Sequence, residues 1–135
     1  MAARSLRWAT LIFDFEPVQG HEQGGERRAL VVSYEPLHSS GMVTVCPITA
    51  ARSQPRYPNE VPIPRGDGDQ TTDALILCHQ VRTVSITRVT GRTPTLLGYV
   101  TDPQTRAAVR AALAVQLGLD LDGFADGAGA AASYR

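Results

Sequence analysis

The sequence predicts a mainly β protein: a small, strongly bent antiparallel sheet or half-open barrel, followed by one C-terminal helix. Two observations lead to this prediction. Short apolar runs separated by turn residues recur along residues 6–101, as in small all-β domains, and a convincing helical pattern follows them. With 135 residues, the chain is long enough for one modest core. We therefore expect a single domain over residues 1–118 and a flexible tail over residues 119–135.

Six strands are predicted from the apolar runs. Pro17 ends the first strand, because proline cannot continue the ladder of a central strand. Pro47, near the end of the third strand, indicates an edge or a bulge. One helical turn is expected at Ser85–Arg88. The predicted strands are Leu6–Phe15, Ala29–Tyr34, Met42–Thr49, Glu60–Ile63, Ala74–Arg82 and Leu96–Thr101.

The helix is predicted from its two end signals. Asp102 is a good N-cap, Pro103 suits the first helical position, and Gly118 is a C-terminal stop. The residues beyond it are rich in Gly, Ala and Asp, which favours a flexible tail. The apolar face of the helix is expected to carry three residues at a spacing of four: Val109, Leu113 and Leu117.

Composition limits the classes of partner. The 13 basic and 13 acidic residues cancel, which argues against broad electrostatic binding to duplex DNA or to a membrane surface. All 13 basic residues are Arg and none is Lys. A codon bias toward Arg and Ala is the simplest explanation, but a guanidinium group also suits bidentate phosphate contacts and stacking on bases.

Cysteine usage and hydropathy indicate an ordinary intracellular protein. Cys46 and Cys78 each lie within an apolar run and lack the spacing of metal ligands, so we expect buried free thiols. No metal or other cofactor is expected. Neither a signal peptide nor an apolar stretch long enough to span a bilayer is evident, and we therefore expect a cytoplasmic protein.

The segment from Glu16 to Ser33 is the most reactive stretch, because a polar loop leads directly into an apolar strand. Three glycines give the loop flexibility, and acidic, basic and amide side chains lie among and after them. A loop of this kind on a rigid element is typical of catalytic and binding sites. The side chains concerned are His21, Glu22, Gln23, Arg27 and Arg28.

This inventory suits cleavage of RNA by its own 2′-hydroxyl group, which needs a base, an acid and positive donors. Glu22 or His21 can act as the base. Arg27 can stabilise the charge of the phosphorane, and Thr49 can donate a hydrogen bond to a phosphate oxygen. No carboxylate cluster that would hold a metal ion is visible in the sequence. Two further polar residues end the central strand: His79 and Arg82.

Each of these residues also has an ordinary structural interpretation. His21 can be a plain surface residue of a glycine-rich loop. Glu22 can pair with a neighbouring arginine at the surface, which contributes little. Thr49 is a good strand residue, His79 can be a half-buried histidine with satisfied hydrogen bonds, and Arg82 can be a solvated strand end. Spacing alone leaves both interpretations open.

Several blocks of sequence, in the same order and with similar gaps, resemble the MazF/PemK family of toxins from type II toxin–antitoxin systems. Residues 14–17 (DFEP) are similar to its D-F-D-P. Residues 20–33 (GHEQGGERRALVVS) are similar to its G-x-E-Q-x-G-x-R-P-A-hydrophobic-V-hydrophobic-S. Three later blocks are similar to V-x-P-x-T, Y-P-x-E-V and x-D-Q-V-R/K-S/T: residues 45–49 (VCPIT), 57–61 (YPNEV) and 78–83 (CHQVRT).

The resemblance implies a dimeric SH3-like barrel of the MazF/CcdB type with a C-terminal helix. It implies metal-independent cleavage of single-stranded RNA at short sequences, leaving a 2′,3′-cyclic phosphate and a 5′-hydroxyl. It also implies a small MazE-like antitoxin partner whose disordered tail covers the RNA groove. Arg27 stands at the family's catalytic arginine and Thr49 at its catalytic threonine, while His21 and Glu22 lie in its substrate-binding loop.

The chain departs from the family pattern at three places. Trp8-Ala9-Thr10 replaces the Gly-Asp-hydrophobic start of the first strand. Arg28 replaces the proline after the catalytic arginine, where it can grip a second phosphate. His79 replaces the aspartate before Gln80, where it can serve as acid or base. The expected site comprises the catalytic residues Arg27, Thr49, Glu22 and His79 and the RNA-binding residues His21, Gln23, Arg28, Arg52, Arg56, Gln80 and Arg82.

Two other functions are compatible with a barrel of this type. A CcdB-like toxin would bind a protein target such as gyrase and would not need the Arg27–Thr49 pair. A degenerate member would be a bare binding module without catalysis. For the endoribonuclease, the loops Ala50–Pro58 and Pro64–Asp73 are the expected base readers, and the substrate is expected to be mRNA, with tRNA and rRNA as alternatives.

Overall fold

The structure is a computed structural model that describes residues 5–17, 19–22, 25–89 and 96–119. Two expectations fall outside these residues: the tail at positions 120–135 and the RNA-binding role of Gln23. The tail and the domain limit at residue 118 therefore stay predictions. In the described part of the chain, no helix is both long and apolar enough to cross a membrane.

The described strands form one curled antiparallel sheet, which confirms the predicted bent sheet of a half-open barrel. They are β1 (Ala9–Asp14), β2 (Glu26–Val31), β3 (Met42–Thr49), β4 (Glu60–Ile63), β5 (Ala74–Leu77), β6 (Arg82–Ser85) and β7 (Leu96–Tyr99). Their order is β4-β5-β3-β2-β1-β7, and β6 also pairs with β3. An isolated bridge between Phe13 and Val89 returns the chain after β6 to β1, so the sheet curls back on itself.

The predicted central strand Ala74–Arg82 is two strands in the structure, because a 3₁₀ helix at Cys78–Gln80 separates β5 from β6. The cause is a change of register against β3. β3 pairs first with β6 and then with β5. Between the last pair of the β3–β6 ladder and the first pair of the β3–β5 ladder, β3 moves by three residues, whereas the partner segment moves by six. The additional residues leave the ladder, and they carry His79 and Gln80 out of the sheet.

The second strand begins at Glu26, three residues before the predicted start at Ala29. Arg27 and Arg28 therefore belong to β2 and not to the preceding loop. Both are paired with β1, where Arg27 lies opposite Phe13. The ladder with β3 covers the later residues of β2, so this end of β2 can carry polar side chains. A hydrogen-bonded hairpin thus positions the two arginines.

Alternation of side chains along the strands builds two apolar layers. One layer lies where α1 (Pro103–Leu117) packs on the sheet, and it includes Trp8, Leu30, Ile48, Ile76 and Val109. The other is on the opposite face of β2, and it includes Leu11, Phe13, Phe15, Val31 and Val45. Each strand residue between Ala29 and Val31 is fully buried, so β2 is covered on both faces beyond its two arginines.

Both cysteines are buried free thiols, as predicted, and belong to the layer beneath α1. A hydrogen bond with Cys78 and burial together raise the pKa of the Cys46 thiol well above its usual range. A buried thiol with a raised pKa is a poor nucleophile. We therefore assign Cys46 and Cys78 to the core and not to the chemistry.

The end signals of α1 are confirmed. The Asp102 carboxylate accepts a hydrogen bond from the backbone N–H of Gln104 at 3.2 Å, and Gly118 adopts a left-handed conformation after the last turn. The predicted apolar face is wrong at Leu117, which is 60% exposed. The helix buries positions 105, 109, 112 and 114, and its last three residues, 115–117, are exposed.

Trp8 shows how the chain accommodates its departure from the family's Gly-Asp start. Trp8 has a φ of +69°, a conformation that suits glycine and strains a bulky residue. Trp8 is nevertheless buried, with only 6% of its surface exposed. The guanidinium carbons of Arg7, Arg106 and Arg110 lie 5.2–5.5 Å from the ring centroid. Ring burial and cation–π contacts thus offset the backbone strain.

Replacing Trp8 by glycine tests this balance. We expect Trp8→Gly to lower the free energy of unfolding by about 2 kcal/mol or more, because loss of a large buried ring outweighs relief of the strained backbone. Urea denaturation measures the change. Trp8→Phe retains the strained φ and part of the packing, and we expect it to lose less. A Trp8→Gly protein as stable as the wild type would show that strain is the larger effect.

Candidate active site

A cleft of about 360 Å³ opens where β2 and β3 end together. We call it the arginine cleft. It contains three of the predicted site residues, Arg27, Arg28 and Thr49. Extension of the β2–β3 register by two residues beyond the pair Ala29–Pro47 places Arg27 opposite Thr49. The cleft is completed by Ile48, Ala50, Ala51, Gln70, Thr71 and Thr72.

The two arginines of the cleft occupy successive positions of β2. The Arg28 guanidinium donates to the backbone carbonyl of Asp69 and lies 3.9 Å from the Asp69 carboxylate. Asp69 therefore offsets part of the Arg28 charge. Arg27 is half-buried at the position next to Glu26 in the β1–β2 ladder. The register assigns Arg27, and not Arg28, to the position across from Thr49.

A second, smaller cleft of about 230 Å³ is lined by Glu22, Pro47, His79, Gln80, Val81 and Arg82. We call it the histidine cleft. The loop between β1 and β2 forms one wall, since Gln80 Nε2 donates to the His21 carbonyl at 3.4 Å. The Glu22 carboxylate is oriented by the backbone N–H of Gln19, 2.6 Å away. His21 itself is exposed.

The Arg82 side chain is held by contacts with Phe15, at the start of the loop between β1 and β2. Its guanidinium donates to the Phe15 carbonyl at 3.5 Å and lies 5.5 Å from the Phe15 ring centroid. His79 is positioned by the 3₁₀ helix that separates β5 from β6, and its ring meets that of Tyr57 edge-on at a centroid distance of 6.4 Å. Among the described residues, the buried His79 Nδ1 has no hydrogen-bond partner.

The structure thus distributes the predicted catalytic residues over two adjoining clefts. Arg27 and Thr49 share the arginine cleft, while Glu22 and His79 share the histidine cleft. Pro47 and Thr49 are two residues apart on β3, which is about 7 Å along a strand. The pair Arg27–Thr49 and the pair Glu22–His79 therefore lie in neighbouring clefts at one end of β3.

Among the described residues, three predicted RNA-binding residues line neither cleft: His21, Arg52 and Arg56. The Arg52 guanidinium makes a bidentate ion pair with the buried Glu60 carboxylate. That carboxylate also accepts the backbone N–H of Arg56 at 2.7 Å, while Arg56 itself is exposed. Hydrogen bonds from Arg52, opposed by burial, lower the pKa of Glu60 to about 2. Arg52 thus organises the loop that carries Arg56, and its direct role toward RNA stays a prediction.

Sequence reasoning did not single out four residues at the site. Gln70, Thr71 and Thr72 line the arginine cleft, and Tyr57 adjoins His79. The run of amide and hydroxyl side chains at 70–72, within a loop expected to read bases, was the available signal. Among the described residues, the buried Gln70 Nε2 also has no hydrogen-bond partner.

Metal centres in proteins are built from converging His, Cys, Asp and Glu side chains. Within residues 5–17, 19–22, 25–89 and 96–119, no three His, Cys, Asp or Glu side chains come together as a metal site requires. The two clefts present guanidinium, hydroxyl, carboxylate and imidazole groups.

The family model and the similar proteins all indicate the same family. A model described as "PemK-like, MazF-like toxin of type II toxin-antitoxin system" matches residues 7–117. Over 107 residues the chain is 31% identical to "Endoribonuclease MazF" of Staphylococcus saprophyticus, covering 78% of this chain and 85% of that protein. Over 78 residues it is 36% identical to "Endoribonuclease toxin ChpB" of Escherichia coli, covering 56% of this chain and 66% of that protein.

Solved structures of the same kind are similar in fold. MazF from Deinococcus radiodurans superposes with a TM-score of 0.67 at 29% identity, covering 84% of this chain and 96% of that one. A chain of a MazE–MazF structure from the same organism gives a TM-score of 0.63 at 26% identity, covering 84% and 96%. The curled sheet with one C-terminal helix is thus shared with these structures.

Proposed function

Because the chain belongs to the PemK-like, MazF-like toxins of type II toxin–antitoxin systems, we propose that it is an endoribonuclease that cleaves single-stranded RNA at short sequences. The family and its two named endoribonucleases support this activity over that of a CcdB-like gyrase poison. One observation carries the proposal: Arg27 and Thr49 line the same cleft, and Glu22 and His79 line the cleft beside it.

The proposed reaction takes place within the RNA. The 2′-oxygen attacks the adjacent phosphorus, the bond from phosphorus to the 5′-oxygen breaks, and a 2′,3′-cyclic phosphate and a 5′-hydroxyl result. One proton leaves the 2′-hydroxyl, and one is delivered to the departing 5′-oxygen. The intervening phosphorane carries additional negative charge on its non-bridging oxygens. Positive donors placed at those oxygens lower the barrier.

The arginine cleft supplies the donors. Arg27 provides a planar guanidinium that can contact two phosphate oxygens at once, and Thr49 provides a hydroxyl across from it. Thr49 Oγ1 accepts the backbone N–H of Ala51 at 3.2 Å, which leaves its own proton for a phosphate oxygen. Arg28, whose charge Asp69 partly offsets, is assigned to binding of a neighbouring phosphate.

The histidine cleft supplies the proton transfers. Glu22 is assigned as the base for the 2′-hydroxyl, and His79 as the acid for the 5′-oxygen. Imidazole suits the second role because a ring nitrogen can donate a proton and take one up again. Gln80 and Arg82 line the same cleft and are assigned to binding of the nucleotide there. His79 thus replaces the aspartate of the family pattern with a group that can both donate and accept a proton.

Partners and location follow from the same family. We assign a small MazE-like antitoxin with a disordered inhibitory tail as the natural inhibitor, and a MazE–MazF structure from Deinococcus radiodurans supports this assignment. A homodimer would cover the open edges of the curled sheet. RNA as substrate and the toxin class support action in the cytoplasm, with mRNA, tRNA or rRNA as the target.

A substrate with one 2′-hydroxyl removed tests the reaction. The cleaved step is first mapped by sequencing 5′-hydroxyl ends. We expect a single 2′-deoxy substitution at that step to block cleavage in the presence of EDTA, since the nucleophile is absent, whereas the same substitution at an uncleaved step has no effect. Cleavage of the blocked substrate would contradict 2′-hydroxyl attack. Activity lost in EDTA and restored by Mg²⁺ would contradict metal independence.

A further inference from the structure

Tyr57 is an exposed aromatic ring at the rim of the proposed site. Within the described residues, two aromatic side chains are mostly exposed, Tyr34 at 61% and Tyr57 at 60%. Tyr34 follows the end of β2 that is remote from Arg27, whereas Tyr57 adjoins His79 of the histidine cleft. The acid–base assignment gives no role to this exposed ring beside the histidine cleft.

The turn that carries Tyr57 is held by polar contacts rather than by burial of the ring. The buried Glu60 carboxylate accepts the backbone N–H of Tyr57 at 3.3 Å while it pairs with Arg52. The Tyr57 carbonyl in turn accepts the backbone N–H of Glu60 at 3.1 Å. The backbone is therefore ordered before any ligand binds, which reduces the entropy lost on binding.

The same turn is tied to the 3₁₀ helix that carries His79. The Asn59 carbonyl accepts the backbone N–H of Cys78 at 3.0 Å, and the Tyr57 and His79 rings meet edge-on at an interplanar angle of 63°. The Asn59 side chain also donates to Gln116 of α1 at 2.8 Å. Tyr57 is thus fixed relative to the histidine cleft.

Single-stranded RNA is recognised by aromatic side chains on which unstacked bases can lie. Resting on the proposed endoribonuclease function, we propose that the Tyr57 ring stacks on the nucleobase next to the scissile step. The His79 ring forms the edge of this base site, and Gln80 and Arg82 lie beyond it in the same cleft. The ligand is a purine or pyrimidine base of the RNA chain, held by its face.

Stacking on Tyr57 contributes to binding in both the ground state and the transition state, because the base does not take part in the reaction. Loss of the ring is therefore expected to raise KM and to leave kcat close to that of the wild type. From the usual free energy of base–aromatic stacking, we expect the affinity for RNA to fall about 5- to 100-fold when the ring is removed. A catalytic role would instead lower kcat.

The test uses the full chain and a non-cleavable RNA. The RNA contains the mapped cleavage sequence with a 2′-deoxy substitution at the cleaved step, and one 2-aminopurine is placed at each flanking position in turn. Stacking quenches 2-aminopurine fluorescence. Tyr57→Ala is compared with Tyr57→Phe, which keeps an aromatic ring, and with Tyr34→Ala, which removes an equally exposed tyrosine elsewhere.

We expect quenching at one position next to the cleaved step in the wild type, Tyr57→Phe and Tyr34→Ala proteins. In Tyr57→Ala that quenching should be lost, and the affinity for RNA should fall about 5- to 100-fold. Unchanged quenching and affinity in Tyr57→Ala, together with normal cleavage, would overturn this inference alone, and would assign the exposed ring to a protein contact. A folded wild-type protein that neither binds nor cleaves the RNA would instead contradict the proposed function and this inference with it.

Discussion

Replacing Arg27 by alanine is expected to reduce the rate of RNA cleavage by at least about 10²- to 10³-fold. The guanidinium is the group assigned to the charge that develops on the phosphorane, and loss of one preorganised donor of this kind usually costs that much in kcat. Because Arg27 acts mainly in the transition state, we expect a loss in kcat larger than the rise in KM. Initial rates on a substrate with a single cleavage site give both constants.

The neighbouring arginine is the matched control. Arg28→Ala removes an equal side chain from the next position of β2, but Asp69 already offsets part of its charge. We expect Arg28→Ala mainly to raise KM, and circular dichroism of both variants checks that the hairpin is retained. Full activity in Arg27→Ala with loss of activity in Arg28→Ala would exchange the two roles. Full activity in both would remove the arginine cleft from the mechanism.

Replacing Glu60 by glutamine is expected to lower the free energy of unfolding by about 3 kcal/mol at pH 7. The Glu60 side chain is 1% exposed and paired with Arg52, and hydrogen bonds from Arg52 dominate in lowering its pKa to about 2. A carboxylate with a usual pKa of about 4.5 thus binds its proton more weakly in the folded chain. A difference of this size corresponds to about 3 kcal/mol.

The sign of the pH dependence follows from that lowered pKa. The stabilisation by Glu60 is complete above pH 4.5 and is lost as the pH falls toward 2, because the unfolded chain takes up the proton first. The difference in stability between the wild type and Glu60→Gln should therefore shrink over this range. Glu35 has a similarly lowered pKa, but it is present in both proteins and cancels in the difference.

Urea denaturation at pH 7, 4.5 and 3 measures the Glu60 effect. Glu16→Gln, at an exposed position, is the control for removal of a carboxylate, and we expect little change in its stability. A Glu60→Gln deficit that is the same at all three pH values would show that shape and not charge holds the turn. Since Glu60 orders the turn of Tyr57, the variant should also bind RNA more weakly than the wild type.

Local chemistry explains why parts of the fold were predictable. The ends of α1 depend on Asp102 and Gly118, whose effects operate within one helical turn, and both signals are confirmed. The bounds of β3 and β4 were also predicted correctly, because proline and glycine mark their flanks. The family resemblance identified Arg27 and Thr49 through blocks of sequence, without any knowledge of their distance in space.

Contacts between distant segments decided what the sequence alone did not. Residues 74–82 are apolar enough for one strand, and only the register against β3 shows that Cys78–Gln80 leaves the ladder. The Arg52 side chain is chemically suited to contact RNA, but a buried carboxylate eight residues later binds its guanidinium. The sequence by itself predicted the family, the bent sheet with one C-terminal helix, and Arg27 and Thr49 as a candidate pair. The tertiary structure decided that the candidate residues lie in two adjoining clefts, because cross-strand register and ion pairing depend on partners that spacing does not reveal.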